Sequence, residues 1–269
     1  MAKLKAGIIG CGTIGSEIAR YIDTQLPQME LAAICDALPQ KAKELADNLV
    51  RRPAIFDMDR LIEVSDLVVE AASKEVCKEV VRKCVEKGKH IMVMSTGGIL
   101  ENLGALDLIR KKGIHLYLPS GAIAGIDALK AAKIGEIHSV TLTTRKPPQA
   151  LAGAPFIVQN NIKLGEIKEE TLLFEGSALE AINAFPANIN VAATLSIAGI
   201  GAKRTRVRIF ASPGLEVNIH EVEVAGEFGK FIARTENLPS PKNPKTSYLA
   251  VLSAMAMLKE IAETVRIGT

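Results

Sequence analysis

Six residues, Gly10-Cys11-Gly12-Thr13-Ile14-Gly15, constrain this 269-residue chain more than any other feature. They follow a short apolar run, Ala6 to Ile9, that reads as a strand buried on both faces. Helical spacing takes over from Ser16 to Ile22, and a second apolar run, Leu31 to Cys35, ends at Asp36. In that strand–turn–helix–strand setting each glycine has its own task. Gly10 permits the tight turn, Gly12 lets the backbone approach a pyrophosphate, and Gly15 lets helix and strand pack closely. Thr13 and Ile14 open the helix, whose N-terminus offers N–H groups and a positive dipole end to phosphates. Asp36 is placed to accept hydrogen bonds from a ribose diol. The stretch therefore predicts dinucleotide binding, with a purely structural βαβ turn as the alternative. NAD is expected over NADP, because Ala37 and not an arginine follows Asp36. Lys41 and Lys43 nearby keep use of NADP open.

Downstream, apolar runs alternate with helical spacing. Helices are expected at 41–49, 57–64, 74–86 and 102–112, and strands at 54–56, 66–72, 90–94 and 115–118. That alternation implies an α/β fold, a doubly wound parallel sheet of Rossmann type with right-handed crossovers. Ligands of such sheets sit beyond the carboxyl ends of the strands. Ser73, the loop 95–98 and Pro119-Ser120-Gly121-Ala122 all fall on that edge.

The pattern changes after a helix at 125–133. Alternating segments at 140–144, 206–211, 217–224 and 228–235 predict an open mixed or antiparallel sheet, covered by helices near 177–184 and 188–200. The stretch 146–168 reads as a long loop. A helix from 246 to 264, opened by Pro244-Lys245-Thr246-Ser247, closes the chain. The expected organisation is a Rossmann domain at 1–122, an α+β domain for substrate and subunit contacts at 123–243, and a C-terminal segment, 244–269, packing back on the first domain.

Composition narrows the partners. A formal net charge of +3 is too small and dispersed for nucleic acid, and no apolar run reaches the ~18 residues of a membrane span. The four cysteines have no zinc-like spacing and read as reduced, cytoplasmic thiols, and no metal-ligand cluster is apparent. The N-terminal apolar run, broken at once by glycines, does not resemble a signal peptide.

Of the four histidines, His90, His115 and His138 begin strands and read as structural. His220 stands where alternation slips phase, Val217 and Ile219 giving way to Val222 and Val224. A β-bulge that re-aims the side chain is expected there, beside the alternative of a structural histidine. Asn188 reads as an N-cap. Asn190, in the first turn, is a candidate for the nicotinamide carboxamide. The small face Ala192, Ala193, Ser196 and Gly199 implies a close neighbour.

Taken together, GCGTIG, LPSGAIAGIDAL, RKPP, FEGSALEAINAFPANINVAATLSIAGIG, NIHEVEVAGEFG and NPKTS resemble the L-aspartate dehydrogenase family, from Gly7 to the last helix. The resemblance implies NAD(P)-dependent oxidation of L-aspartate to iminoaspartate, which feeds NAD biosynthesis or is hydrolysed to oxaloacetate and ammonia. It further implies a homodimer, an active-site histidine at His220, and cofactor contacts from Ala122 and Asn190. Lys245, Thr246 and Ser120 are the expected readers of the aspartate carboxylates. The other readings are a related reductase of the dihydrodipicolinate reductase or homoserine dehydrogenase kind, and a non-catalytic NAD-binding sensor.

Overall fold

The computed structural model describes residues 3–186 and 189–269, with the side chains of Ile189, Pro244 and Lys245 outside the description. The chain divides into two units: Met1–Pro119 with Val251–Arg266, and Ser120–Ala250 with Ile267–Thr269. Ser120 and Ala122 therefore sit with the second unit.

The first unit runs β1 (Leu4–Ile9), α1 (Thr13–Gln25), β2 (Met29–Cys35), α2 (Pro39–Asp47), β3 (Ala54–Ile55), α3 (Met58–Val64), β4 (Leu67–Glu70), α4 (Lys74–Lys87), β5 (His90–Val93), α5 (Gly97–Leu100), α6 (Gly104–Lys111) and β6 (Leu116–Tyr117). Its six strands are all parallel, in the order β3-β2-β1-β4-β5-β6. That is the doubly wound arrangement, with the order reversing between β1 and β4. Ala6 and Ile8 are fully buried and Ile9 nearly so, as a central parallel strand requires. Ser73 caps α4 through the Val76 N–H, and Gly88 ends that helix in the left-handed conformation.

The second unit contains α7 (Ile126–Ala132), β7 (Ile137–Lys146), α8 (Pro155–Gln159), β8 (Thr171–Ser177), α9 (Ala178–Ala184), α10 (Ile189–Ala198), β9 (Thr205–Ala211), β10 (Asn218–Gly226), β11 (Gly229–Asn237), β12 (Pro239–Ser240) and β13 (Asn243–Ser247). Its five-stranded sheet has the order β11-β10-β7-β9-β8 and is mixed, with β7 and β9 parallel. Ser177 and Glu180 cap α9 reciprocally. The last helix, α11 (Tyr248–Ala262), sends Ala254 and Leu258 into the core of the first unit beside Ile8, Ile34 and Met92. Burying Leu258 alone contributes about 1.5–3 kcal/mol.

Three expectations are corrected. The stretch 146–168 is not a single loop: β7 continues through Lys146, and α8 and two 3₁₀ turns follow. Residues 243–247 do not open the last helix. They form β13, whose Ser247 pairs with Pro239, and Tyr248 N donates to Leu238 O as the helix begins. Pro244 cannot donate a backbone hydrogen bond, so a strand at the edge of a two-stranded ribbon suits it. Finally, β10 has no bulge at His220. Its register with β7 and β11 is continuous from Ile219 to Ala225. The apparent slip arises because Ile219 is buried on the opposite face from His220, Val222 and Val224.

Candidate active site

The glycine turn of the first unit is built from two closed positions and one open one. Gly10 has φ +102°, and a Cβ there would lie 2.5 Å from the Ala71 carbonyl oxygen. A Cβ on Gly15 would overlap the Gly10 carbonyl oxygen. At Gly12 a Cβ would meet nothing within 4 Å. Gly12 is exposed, is the N-cap of α1, and has no side-chain cap, and the first turn of that helix, with Thr13 and Ile14, carries no acid. An anion approaching Gly12 thus meets a helix N-terminus whose own first turn carries no carboxylate.

Asp36 stands at the end of β2, half-buried. Its Oδ2 accepts from Cys11 N at 2.7 Å and its Oδ1 from Leu38 N at 2.8 Å. These two bonds fix the carboxylate against the turn, and an ionised carboxylate has about four acceptor sites. Capacity for a ribose diol remains. The residues present fit a dinucleotide.

One residue of this edge was not anticipated. Glu70, at the end of β4, is fully buried, and it accepts from Ala72 N (2.8 Å), Ser95 N (3.0 Å) and Ser95 Oγ (2.9 Å). Burial pushes its pKa up, against the pull of those donors. Glu70 joins β4 to the turn after β5, next to Ser73. The signal in the sequence is an acid set inside the apolar run DLVVEAA.

The second unit holds a separate cluster on the sheet face that also carries Val222 and Val224. His220 pairs with Thr144 on β7 and Thr235 on β11. It is only 6% exposed, and its Nδ1 lies 2.9 Å from Thr144 Oγ1. Burial first, and then the charge of Lys146, lowers its pKa to about 3. Lys146 ends β7 and is lowered by desolvation to about 8. The Ala122 carbonyl accepts from Thr235 Oγ1 at 2.9 Å and from Asn237 Nδ2 at 3.0 Å, and Ser247 Oγ donates to Asn237 Oδ1 at 2.8 Å. Ala122 and the end of β13 are thereby tied to the strand beside His220.

The remaining expected residues are placed as follows. Ser120 is half-buried in the loop before Gly121, and Asn190 is an exposed residue in the first turn of α10. Thr246 lies in β13, which runs directly into α11 at Tyr248, while the Lys245 side chain and the Asn188 cap lie outside the described residues. The small face of α10 has close neighbours on two elements: Ala192 lies toward the sheet, and Gly199 packs against Leu129 of α7. Ala192 borders a cavity of about 10 Å³ with Leu142, Thr144 and Phe185, barely the volume of one water. His90 and His115 stack edge to face, ring centroids 4.9 Å apart, with His90 starting β5 at the amino ends of the strands. Among the described residues no group of three or more His, Cys, Asp or Glu is arranged to hold a metal ion.

The buried imidazole makes an acid-sensitivity prediction. The folded-state pKa lies below the ordinary value of about 6.5, so the unfolded chain binds the extra proton first. Stability contributed by neutral His220 is complete above pH ~6.5 and is lost as pH falls toward 3. Thermal melts over that range should show a decline that is shallower in His220→Asn. Parallel declines would remove His220 from the acid response.

Comparison with known proteins also divides the chain near residue 120, the C-terminal match running on through most of α11. Residues 127–261 match the family described as "Aspartate dehydrogenase, C-terminal", and residues 10–119 match "Homoserine dehydrogenase, NAD binding domain". The chain is 51% identical to the L-aspartate dehydrogenase of Methanosarcina mazei over 99% of its length and 100% of that protein's. The L-aspartate dehydrogenase of Methanosarcina barkeri is likewise 51% identical, with the same coverage. Among solved structures, aspartate dehydrogenase from Thermotoga maritima superposes with a TM-score of 0.76 at 25% identity, covering 99% of this chain and 100% of that one. A turn shaped for a dinucleotide, a buried histidine on the second sheet and full-length similarity agree: the chain belongs to the L-aspartate dehydrogenase family.

Proposed function

We propose that this chain is an NAD-dependent L-aspartate dehydrogenase, oxidising L-aspartate at C2 to iminoaspartate. The observation that carries the reading is His220, a neutral buried imidazole held through Nδ1 by Thr144. When bound, NAD supplies the hydride acceptor, and the protein supplies orientation and proton handling. The open Gly12 backbone and the N-terminus of α1, with Thr13 and Ile14, receive the pyrophosphate. Asp36 accepts from the ribose hydroxyls. Ser73 is a further candidate for the cofactor on the first unit, and the family resemblance puts Ala122 and Asn190 forward as cofactor contacts.

Hydride leaves C2 only from the neutral amine. His220, acting at Nε2 while Nδ1–H donates to Thr144, accepts a proton from the substrate ammonium. Hydride loss leaves an iminium ion. Water adds to its carbon and gives up one proton to solvent. The same histidine returns its proton to the nitrogen of the carbinolamine, whose C–N bond breaks as the hydroxyl loses its proton, giving oxaloacetate and ammonia. Alternatively, iminoaspartate leaves intact to supply NAD biosynthesis. Ser120 and Thr246 are candidates for the substrate carboxylates. We read the working form as a cytoplasmic homodimer. The four free cysteines support a reducing compartment, and no described helix is long and apolar enough to cross a membrane. The test is an amino-acid panel: NADH forms with L-aspartate and not with homoserine. NAD binding without turnover of any amino acid would favour a sensor instead.

Cofactor choice follows from Asp36. A carboxylate facing a 2′-phosphate is repulsive, so NAD is preferred. Asp36→Ala removes both the repulsion and the diol bonds. Each charge-assisted bond contributes about 1.5–3 kcal/mol, so kcat/KM for NAD should fall at least roughly tenfold while that for NADP changes little. Because Asp36 also anchors the Cys11 and Leu38 N–H groups, the melting temperature is measured alongside. A wild-type kcat/KM for NADP equal to that for NAD refutes the preference.

A further inference from the structure

Aspartate carries two carboxylates, and among the expected site residues whose side chains are described above none is a lysine or an arginine. The second sheet contains one candidate. In the β7–β10 ladder Thr144 stands opposite His220, so Lys146, two residues further along β7, shares their face. Diagonal neighbours of this kind have Cα atoms roughly 7–8 Å apart, within the reach of a lysine side chain. Arg145 projects to the other face, where it meets Glu170 at 3.2 Å and Glu221 at 3.9 Å. Lys146 is thus the basic residue of β7 on the histidine side of the sheet. We propose that Lys146 receives a carboxylate of the substrate beside His220 and is a determinant of specificity for dicarboxylic amino acids, an inference that rests on the L-aspartate reading.

Two physical consequences support the assignment. Desolvation lowers the Lys146 pKa to about 8, and a carboxylate placed beside it would favour its charged form. Its charge also acts directly on His220 and opposes protonation of the ring. A carboxylate seated on Lys146 cancels that field, so the imidazole becomes a stronger proton acceptor when substrate is in place. Lysine and histidine on one strand-pair face therefore link substrate recognition to readiness for proton transfer. A monocarboxylic amino acid of similar size, whose single carboxylate sits elsewhere, would lack this link.

The test uses the full-length protein with Lys146→Met, which keeps the aliphatic stem, and Lys146→Arg, which keeps the charge. NAD affinity, followed by calorimetry, should match wild type in both, which also shows that they fold. KM for L-aspartate should rise roughly 10- to 100-fold in Lys146→Met, the loss expected for one charge-assisted contact of about 1.5–3 kcal/mol. Lys146→Arg should recover part of it. Calorimetric titration with succinate, a dicarboxylate with no amine to oxidise, reads the same contact without turnover, and its heat should vanish in Lys146→Met. An unchanged KM together with unchanged succinate binding overturns the assignment, as does failure of both variants to bind NAD. A wild-type protein that does not oxidise L-aspartate but binds succinate through Lys146 refutes the reaction and leaves the dicarboxylate site standing. Absence of succinate binding in wild type overturns the site.

Discussion

His220→Ala should lower kcat for L-aspartate by ~10²–10⁴, the usual contribution of a positioned acid or base, and leave NAD binding intact. The expectation follows from the ring's placement and not from its being a histidine. His220 is buried on the inner sheet face, its Nδ1 engaged by Thr144, so Nε2 alone is presented to a reacting group. Alanine removes the proton acceptor and also strands the Thr144 hydroxyl, which costs about 1–3 kcal/mol when buried. His220→Asn separates the two effects. Its amide can still engage Thr144, so the protein should melt near the wild-type temperature, yet it cannot accept a proton near neutrality. A slow, well-folded His220→Asn variant with normal NAD affinity supports the assignment. Near-normal kcat in either variant defeats it.

The first unit was almost entirely legible because its signals are local. Parallel strands buried on both faces read as unbroken apolar runs, and Gly10, Gly12, Gly15 and Asp36 have spacing that follows from one turn. The second unit hides its information in register. The phase slip at His220 looked like a bulge because alternation assumes that one face is buried, whereas Ile219 is covered on the other face as well. β8 went unread since Thr171–Ser177 does not alternate: Leu172 is exposed, Phe174 joins Phe156 and Phe185 in an aromatic cluster, and the register shifts between them. The two residues of β12 and Pro244, second in the return strand, carry no strand pattern. Lys146 carries no signal in the sequence for the same reason. That it shares a face with His220 follows only from the pairing of His220 with Thr144, and one sequence contains no record of which strands pair.

The glycines of the turn should separate folding from cofactor binding. A Cβ on Gly15 overlaps a backbone carbonyl, that of Gly10, and backbone cannot swing aside as a side chain can. Alanine within a helix is favoured over glycine by about 1 kcal/mol. Moving α1 off β1 costs more, since overpacking alone is typically about 1–3 kcal/mol and here it also disturbs a turn at φ +102°. Gly15→Ala should therefore lower the melting temperature of the unliganded protein and weaken NAD together. Gly12→Ala behaves differently. Its backbone, φ −73° and ψ −166°, is open to any residue, and nothing lies within 4 Å of the new methyl. Stability should change by no more than the few tenths to ~1 kcal/mol of an altered N-cap. The methyl occupies the space in which the pyrophosphate must approach the α1 N–H groups. Losing one or two charge-assisted bonds, about 1.5–3 kcal/mol, should raise the NAD Kd roughly 10- to 100-fold. Melting without ligand and calorimetric titration of NAD measure the two effects independently. If Gly12→Ala binds NAD as wild type does, the pyrophosphate does not lie against this turn, and the cradle assignment fails.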